Sequence, residues 1–244
     1  MKHLKSLMGL LVLLGALSCT KTRITSDGTL TFTLSPAYDL VEVTKSNVSD
    51  YVALPQKSEF ALVIKDDAGK ETWSGLLSEW EPTTQLLAGD YTVEASYGSL
   101  EEEGFDKPYF FGTAEFTING GESTEVSVDV TLANTIVKIS CNDMFKNYFV
   151  DYSFEIKRGN TLIATISKDE TRGVFVDGYK LDVSGVFVNE TGTETAFAKE
   201  YMYLDVATAY TMQLDLTGVG GQSVTISFND AVETVEVGDV ELND

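Results

Sequence analysis

Nearly every stretch of this 244-residue chain alternates apolar with polar side chains and is broken at short intervals by Gly, Asn or Asp. Successive side chains of a strand point to opposite faces, so a period of two suits half-buried strands and leaves no room for long helices. The alternation predicts strands at 30–34, 40–44, 60–65, 71–77, 91–97, 109–118 and 125–132 in the first half. In the second half it predicts them at 136–141, 152–158, 161–167, 173–176, 180–188, 195–203, 211–216, 224–228 and 234–242, with one helical turn at 143–149. Turn chemistry separates them: Asp66-Asp67-Ala68-Gly69-Lys70, Ala88-Gly89-Asp90 and Asn119-Gly120-Gly121-Glu122 all offer residues that tolerate positive φ.

The two halves echo each other in order. Phe60-Ala61-Leu62-Val63-Ile64-Lys65 matches Tyr152-Ser153-Phe154-Glu155-Ile156-Lys157, Asp90-Tyr91-Thr92-Val93 matches Gly178-Tyr179-Lys180-Leu181, and Ser127-Val128-Asp129-Val130 matches Gln213-Leu214-Asp215-Leu216. Three matches in one order predict two copies of one topology. The expectation is an all-β chain of two tandem β-sandwich domains, Greek-key or transthyretin-like, at 28–133 and 134–244.

Lys2, His3 and Lys5 precede an apolar run from Leu7 to Leu17 that is short for a membrane span, which is the pattern of a signal peptide over residues 1–18. The run ends at Ala16-Leu17-Ser18-Cys19, a lipobox-like site with Ala16 and Leu17 as its departures. Cys19 is therefore the candidate lipidation site, residues 19–27 the lipidated linker, and the lipid the membrane anchor of an outer-membrane lipoprotein. The residues after it, Thr20-Lys21-Thr22-Arg23, are basic, whereas surface-directed lipoproteins of this kind often carry acidic ones there.

Loss of residues 1–18 from 244 leaves 226, and loss of Lys2 and Lys5 leaves 15 basic against 38 acidic residues, a net charge of −23. Cations so sparse cannot neutralise a row of phosphates, so nucleic acid is excluded as a partner. The one histidine, His3, leaves with the leader, which removes Ser-His-Asp and Cys-His chemistry and imidazole-based zinc sites. Catalytic residues, metal and cofactors are expected to be none. Asp66-Asp67, Glu101-Glu102-Glu103 and Asn229-Asp230 lack any recognised calcium spacing and read as solvated loop carboxylates. Cys141 shares a face with Val137 and Ile139 and is expected to be a buried, inert thiol.

Gly89-Asp90-Tyr91-Thr92, Lys107-Pro108-Tyr109-Phe110-Phe111-Gly112 and Leu132-Ala133-Asn134, together with the strand at 60–65, resemble a Bacteroides-type lipoprotein family of unknown function. Its members are described as candidate cell-adhesion proteins, and their sandwich domains are similar to those of fimbrillins, the subunits of type V pili. The resemblance implies an outer-membrane-anchored adhesion or fimbrial-type protein whose partners are fimbrial subunits or host or bacterial surface ligands. It also implies processing after an arginine that follows the first strand. Here that place holds Thr44-Lys45-Ser46, so Lys45 is the possible processing site, with a solvated loop lysine as the alternative. A chain left uncut stays anchored, which suits an anchor or accessory subunit better than a pilus shaft.

A glycan-binding surface lipoprotein is the rival reading, because Trp73, Trp80, Tyr97, Tyr109, Phe110 and Phe111 could form a stacking platform. Trp80, flanked by Glu79 and Glu81-Pro82, is the candidate ligand aromatic, against a core or staple role. The C-terminal Thr234-Val235-Glu236-Val237-Gly238-Asp239-Val240-Glu241-Leu242 changes parity at Gly238-Asp239. It reads either as a closing strand of its own sandwich or as a strand donated to a neighbour.

Overall fold

A computed structural model describes residues 26–40, 47–217, 223–228 and 231–236. The first half supplies β1 (Asp27–Ala37), β2 (Ala61–Asp66), β3 (Glu71–Leu76), β4 (Gln85–Leu87), β5 (Gly89–Tyr97), β6 (Gly104–Phe105), β7 (Phe110–Ile118) and β8 (Ser123–Leu132). Seven of them form one sheet in the order β3-β2-β5-β7-β8-β1-β4. The sheet folds over at the β7–β8 seam, where only Phe110 pairs with Leu132 and Phe111 with Thr131. Gly112 sits in that crease, where a Cβ would lie 2.0 Å from the Asp129 carbonyl oxygen. Leu30, Leu34, Val126, Val128 and Val130 on one wall then close over Leu62, Ile64, Val93 and Ala95 on the other.

The second half supplies β9 (Thr135–Cys141), α1 (Asp143–Tyr148), β10 (Phe149–Arg158), β11 (Thr161–Ser167), β12 (Val174–Val176), β13 (Lys180–Asn189), β14 (Glu194–Met202), β15 (Ala209–Thr217), β16 (Ser223–Phe228) and β17 (Ala231–Glu236). They make a four-stranded sheet, β11-β10-β13-β14, facing a six-stranded one, β17-β16-β15-β9-β12-β6. Phe154, Ile156, Val183 and Phe187 pack against Val137, Met212, Leu214 and Ile226 between them. Asn142 caps α1 by accepting the Phe145 amide at 2.8 Å, which drops Phe145 into the aromatic core against Phe149.

The wiring of the two halves is the same. β3-β2-β5-β7 corresponds to β11-β10-β13-β14, and β8-β1-β4 to β15-β9-β12. In each unit the first strand runs parallel to the last of these, β1 with β8 and β9 with β15. It runs antiparallel to the short fourth, β4 or β12. That arrangement is the transthyretin-like one of the two topologies expected. All three sequence echoes fall on corresponding strands: β2 with β10, β5 with β13, and β8 with β15.

Of the strand expected at 40–44, residues 41–44 lie outside the described residues; before them Asp39 makes an isolated bridge with Asn47. Other expectations are corrected. β4 and β6 are too short to show any period. Gly69 and Gly121 do take positive φ, but Gly89 does not, and a Cβ there would meet only the Tyr91 ring at 3.9 Å. At the C-terminus β17 pairs antiparallel with β16, so the chain closes its own sheet as far as Glu236; residues 237–244 lie outside the described residues.

The loop between β5 and β7 ties the halves together. β6 within it pairs with β12. Both arginines after Arg23 grip this loop. Arg158 donates to Glu103 at 2.5 Å, while Arg172 lies 4.4 Å over the Phe105 ring and pairs with Asp106 at 2.7 Å. Asn134, 1% exposed, completes the joint: its side-chain amide donates to the Lys107 carbonyl at 3.0 Å and its backbone carbonyl accepts the Ala207 amide at 3.0 Å.

Candidate binding surface

Two tyrosines stand out at the β12–β13 and β14–β15 turns. Tyr179 is 60% exposed and Tyr203 71%, with Met202 and Val206 exposed beside them. Their ring centroids are 5.4 Å apart and the planes are nearly perpendicular, at 87°. Tyr OH groups and ring faces this open to water contribute nothing to a core, and such amphipathic rings are well suited to binding.

The backbone beneath them is heavily constrained. Tyr203 donates its amide to the Tyr179 carbonyl at 3.2 Å, and Leu204 to Gly178 at 2.8 Å. Gly178 has no alternative, since a Cβ would lie 2.3 Å from the Leu204 carbonyl oxygen. Asp177 accepts the Tyr179 amide at 3.1 Å, and the Thr135 hydroxyl donates to the Asp205 carbonyl at 2.8 Å. Tyr203 has φ 59° and Ala207 φ 52°. Left-handed backbone at a bulky non-glycine residue costs on the order of 1 kcal/mol or more and persists only where the surroundings enforce it. Here it turns Tyr203 out of the β14 alternation and presents it next to Tyr179.

The sequence-based candidates fall elsewhere. Trp80 is not an exposed aromatic: it is 8% exposed, donates Nε1 to the Leu30 carbonyl at 3.0 Å, and meets Trp73 and Phe32 edge-on. The apolar walls of the first sandwich need that bulk, so the core role wins. Tyr109 and Phe111 stack on each other half-buried, and Phe110 is in the core. Cys19 and Lys45 lie outside the described residues. Cys141 is buried, and burial pushes its thiol up to about 12, so it carries no thiolate at neutral pH.

The loop carboxylates have specific partners. Asp66 accepts the amides of Ala68 and Lys70 and shapes a turn. Glu103 is not a solvated tip residue: it accepts from Arg158 and from the Asp177 amide at 2.7 Å, and burial raises its carboxyl above the ordinary value against both partners. Asn229 and Asp230 lie outside the described residues. Among the described residues no group of three or more His, Cys, Asp or Glu is arranged to hold a metal ion.

Residues 26–244 match the model of a family described as "Domain of unknown function (DUF4493)". Among solved structures, the chain is similar to a candidate cell adhesion protein from Bacteroides eggerthii at 8% identity, covering 87% of this chain and 95% of that one with a TM-score of 0.44. A fimbrial assembly protein from Parabacteroides distasonis matches at 10% identity, 87% and 99% coverage and a TM-score of 0.40. Candidate polysaccharide binding proteins from Bacteroides thetaiotaomicron match at 12% identity, 86% and 98% coverage and a TM-score of 0.43. No curated protein matches the sequence.

Proposed function

The chain belongs to this family of unknown function, and we propose that it is an envelope-anchored adhesion or fimbrial-type structural protein that works by binding. The observation that carries the reading is the Tyr179–Tyr203 surface, where strained backbone holds two rings in water instead of in the core. Selection for stability alone would remove both features. In this reading Cys19 bears the lipid that holds the chain at the outer membrane, and the tyrosine surface lies beside the joint of the two sandwiches, next to Asn134 and Thr135. Lys45 is left uncut, which keeps the protein attached as an anchor or accessory subunit. Fimbrial subunits and host or bacterial surface ligands are the partners it proposes.

The test is adherence of producing cells to their host surface or to one another. Tyr179→Ser with Tyr203→Ser should lower adherence severalfold while the melting temperature stays within a few degrees. Full adherence by the double variant contradicts the reading. Glycan binding through exposed aromatics is the alternative, and the same two rings support it. Their perpendicular setting offers a sugar one face at a time instead of a flat platform. Retention on glycan columns that is lost in the tyrosine variant would favour it over protein-mediated adhesion.

A further inference from the structure

A cleft of about 220 Å³ opens between β9 and the end of β11, on the side of the second sandwich away from β15. Its floor is the core itself, with Ile139, Tyr152, Phe154 and Ile166 all lining it. One wall is an unpaired strand edge. β12 covers β9 only from Thr135 to Val137. The Ile136 amide bonds to Thr208 and the Asn142 amide to Leu214, both toward β15. Main-chain groups of a strand alternate in direction, so those of Ile139 and Cys141 point into the cleft, where no described strand meets them.

The rim reverses the charge of the molecule. Lys138, Lys146 and Lys168 all line the opening, on a chain where acidic residues outnumber basic ones 38 to 17. Lys168 is held there by the Val150 carbonyl at 3.1 Å and by the Tyr152 ring. Lys138 and Lys146 form no ion pair among the described residues. The one carboxylate on the rim, Glu170, is engaged by Arg172 at 2.7 Å.

An exposed edge calls for a backbone, an apolar floor for alternate side chains of one strand face, and a basic rim for carboxylates on the other. We infer that this cleft takes up an acidic, extended peptide segment of a partner protein, which adds a strand beside Ile139 and Cys141. Its apolar side chains settle on Ile139, Phe154 and Ile166, and its carboxylates meet Lys138, Lys146 and Lys168. The site is separate from the tyrosine surface and does not depend on it.

The test uses the mature chain, residues 19–244, with Cys19→Ser for solubility, and a fluorescein-labelled eight-residue peptide alternating Glu and Val. Peptides alternating Glu with Gly and Lys with Val, and an oligogalacturonate, serve as comparisons. The Glu-Val peptide should bind, slow hydrogen exchange at the Ile139 and Cys141 amides, and bind the Tyr179→Ser/Tyr203→Ser variant equally well. Lys138→Glu with Lys168→Glu should weaken it by about tenfold or more, since opposed rim charges become like charges. Equal binding of the Glu-Gly peptide or the oligogalacturonate, without protection at Ile139 and Cys141, would show a bare anion patch and overturn the inference. Absence of Glu-Val binding to the unsubstituted protein at millimolar peptide overturns it as well.

Discussion

Arg158, on the last position of β10, donates to Glu103 at 2.5 Å, joining the second sandwich to a loop of the first. Glu103 is 11% exposed at its side chain and Arg158 35%. Arg158 Nε is buried without a partner among the described residues. Removing one member of such a pair strands the other, whereas removing both can be nearly neutral. Arg158→Met should therefore cost about 1–3 kcal/mol, between the ranges for exposed and for buried pairs because the guanidinium is partly solvated. The double variant Glu103→Leu/Arg158→Met should recover part of that loss. Denaturant melts of the three proteins check this, and strictly additive losses would mean the pair is not coupled.

Acid should act on the same joint through Glu170. The Arg172 side chain first, and the Arg172 amide second, hold the Glu170 carboxyl down at about 2. A carboxylate depressed in the folded state adds stability that is present above its ordinary range and is lost as pH falls toward about 2. The melting temperature of wild type should thus exceed that of Glu170→Gln at pH 6, and the gap should shrink steadily below about pH 5 as pH falls toward about 2. Glu103 has the opposite sign, since burial raises it: its ionisation costs stability as pH rises past the ordinary carboxylate range. A gap between wild type and Glu170→Gln that is constant with pH would remove the ion pair from the account.

The crease of the first sandwich depends on Gly112. With the Asp129 carbonyl oxygen 2.0 Å from where a Cβ would sit, β7 and β8 must separate to admit any side chain. Gly112→Ala should destabilise by about 1–3 kcal/mol, in the range of overpacking and backbone displacement. Gly89→Ala, whose Cβ would meet only the Tyr91 ring at an ordinary 3.9 Å, should change stability by less than about 1 kcal/mol. Urea melts of both proteins decide it, and equal effects would contradict the crease.

What could be read from the sequence was what repeats locally. Period-two alternation located β2, β5, β8, β10, β13 and β15, and because both halves use it in one order the duplication is visible in the residues themselves. The functional surface was hidden for the opposite reason. Tyr203 continues the parity of Tyr201 and reads as one more strand residue, and only a left-handed φ, held by the bonds of Tyr203 and Leu204 to Tyr179 and Gly178 of another turn, swings it out. Trp80, between two glutamates, leaves a ligand aromatic and a core residue both open in the sequence, and it is the distant Leu30 carbonyl and the Phe32 and Trp73 rings that decide for the core. Glu103 in a run of three acids gives no sign of its partner 55 residues away. Each miss is a long-range contact, which local pattern does not encode.

Cys141 offers a simple check of burial. With its thiol pushed up to about 12 and the side chain in the core, the mature Cys19→Ser protein should react with a disulfide reagent at pH 8 far more slowly than after unfolding, by on the order of a hundredfold. Rates alike in native buffer and in denaturant would show an open second sandwich.

In the proposed function the chain is held at the envelope by Cys19 and presents its tyrosine surface to the outside. Protease shaving of intact producing cells tests it most directly, with a periplasmic protein as the control for leakage. The account predicts that the mature chain is lost or cut on intact cells and that Cys19→Ala releases it from the membrane fraction. A chain fully protected on intact cells, and digested only once the outer membrane is permeabilised, could not be an adhesion protein and would contradict the account.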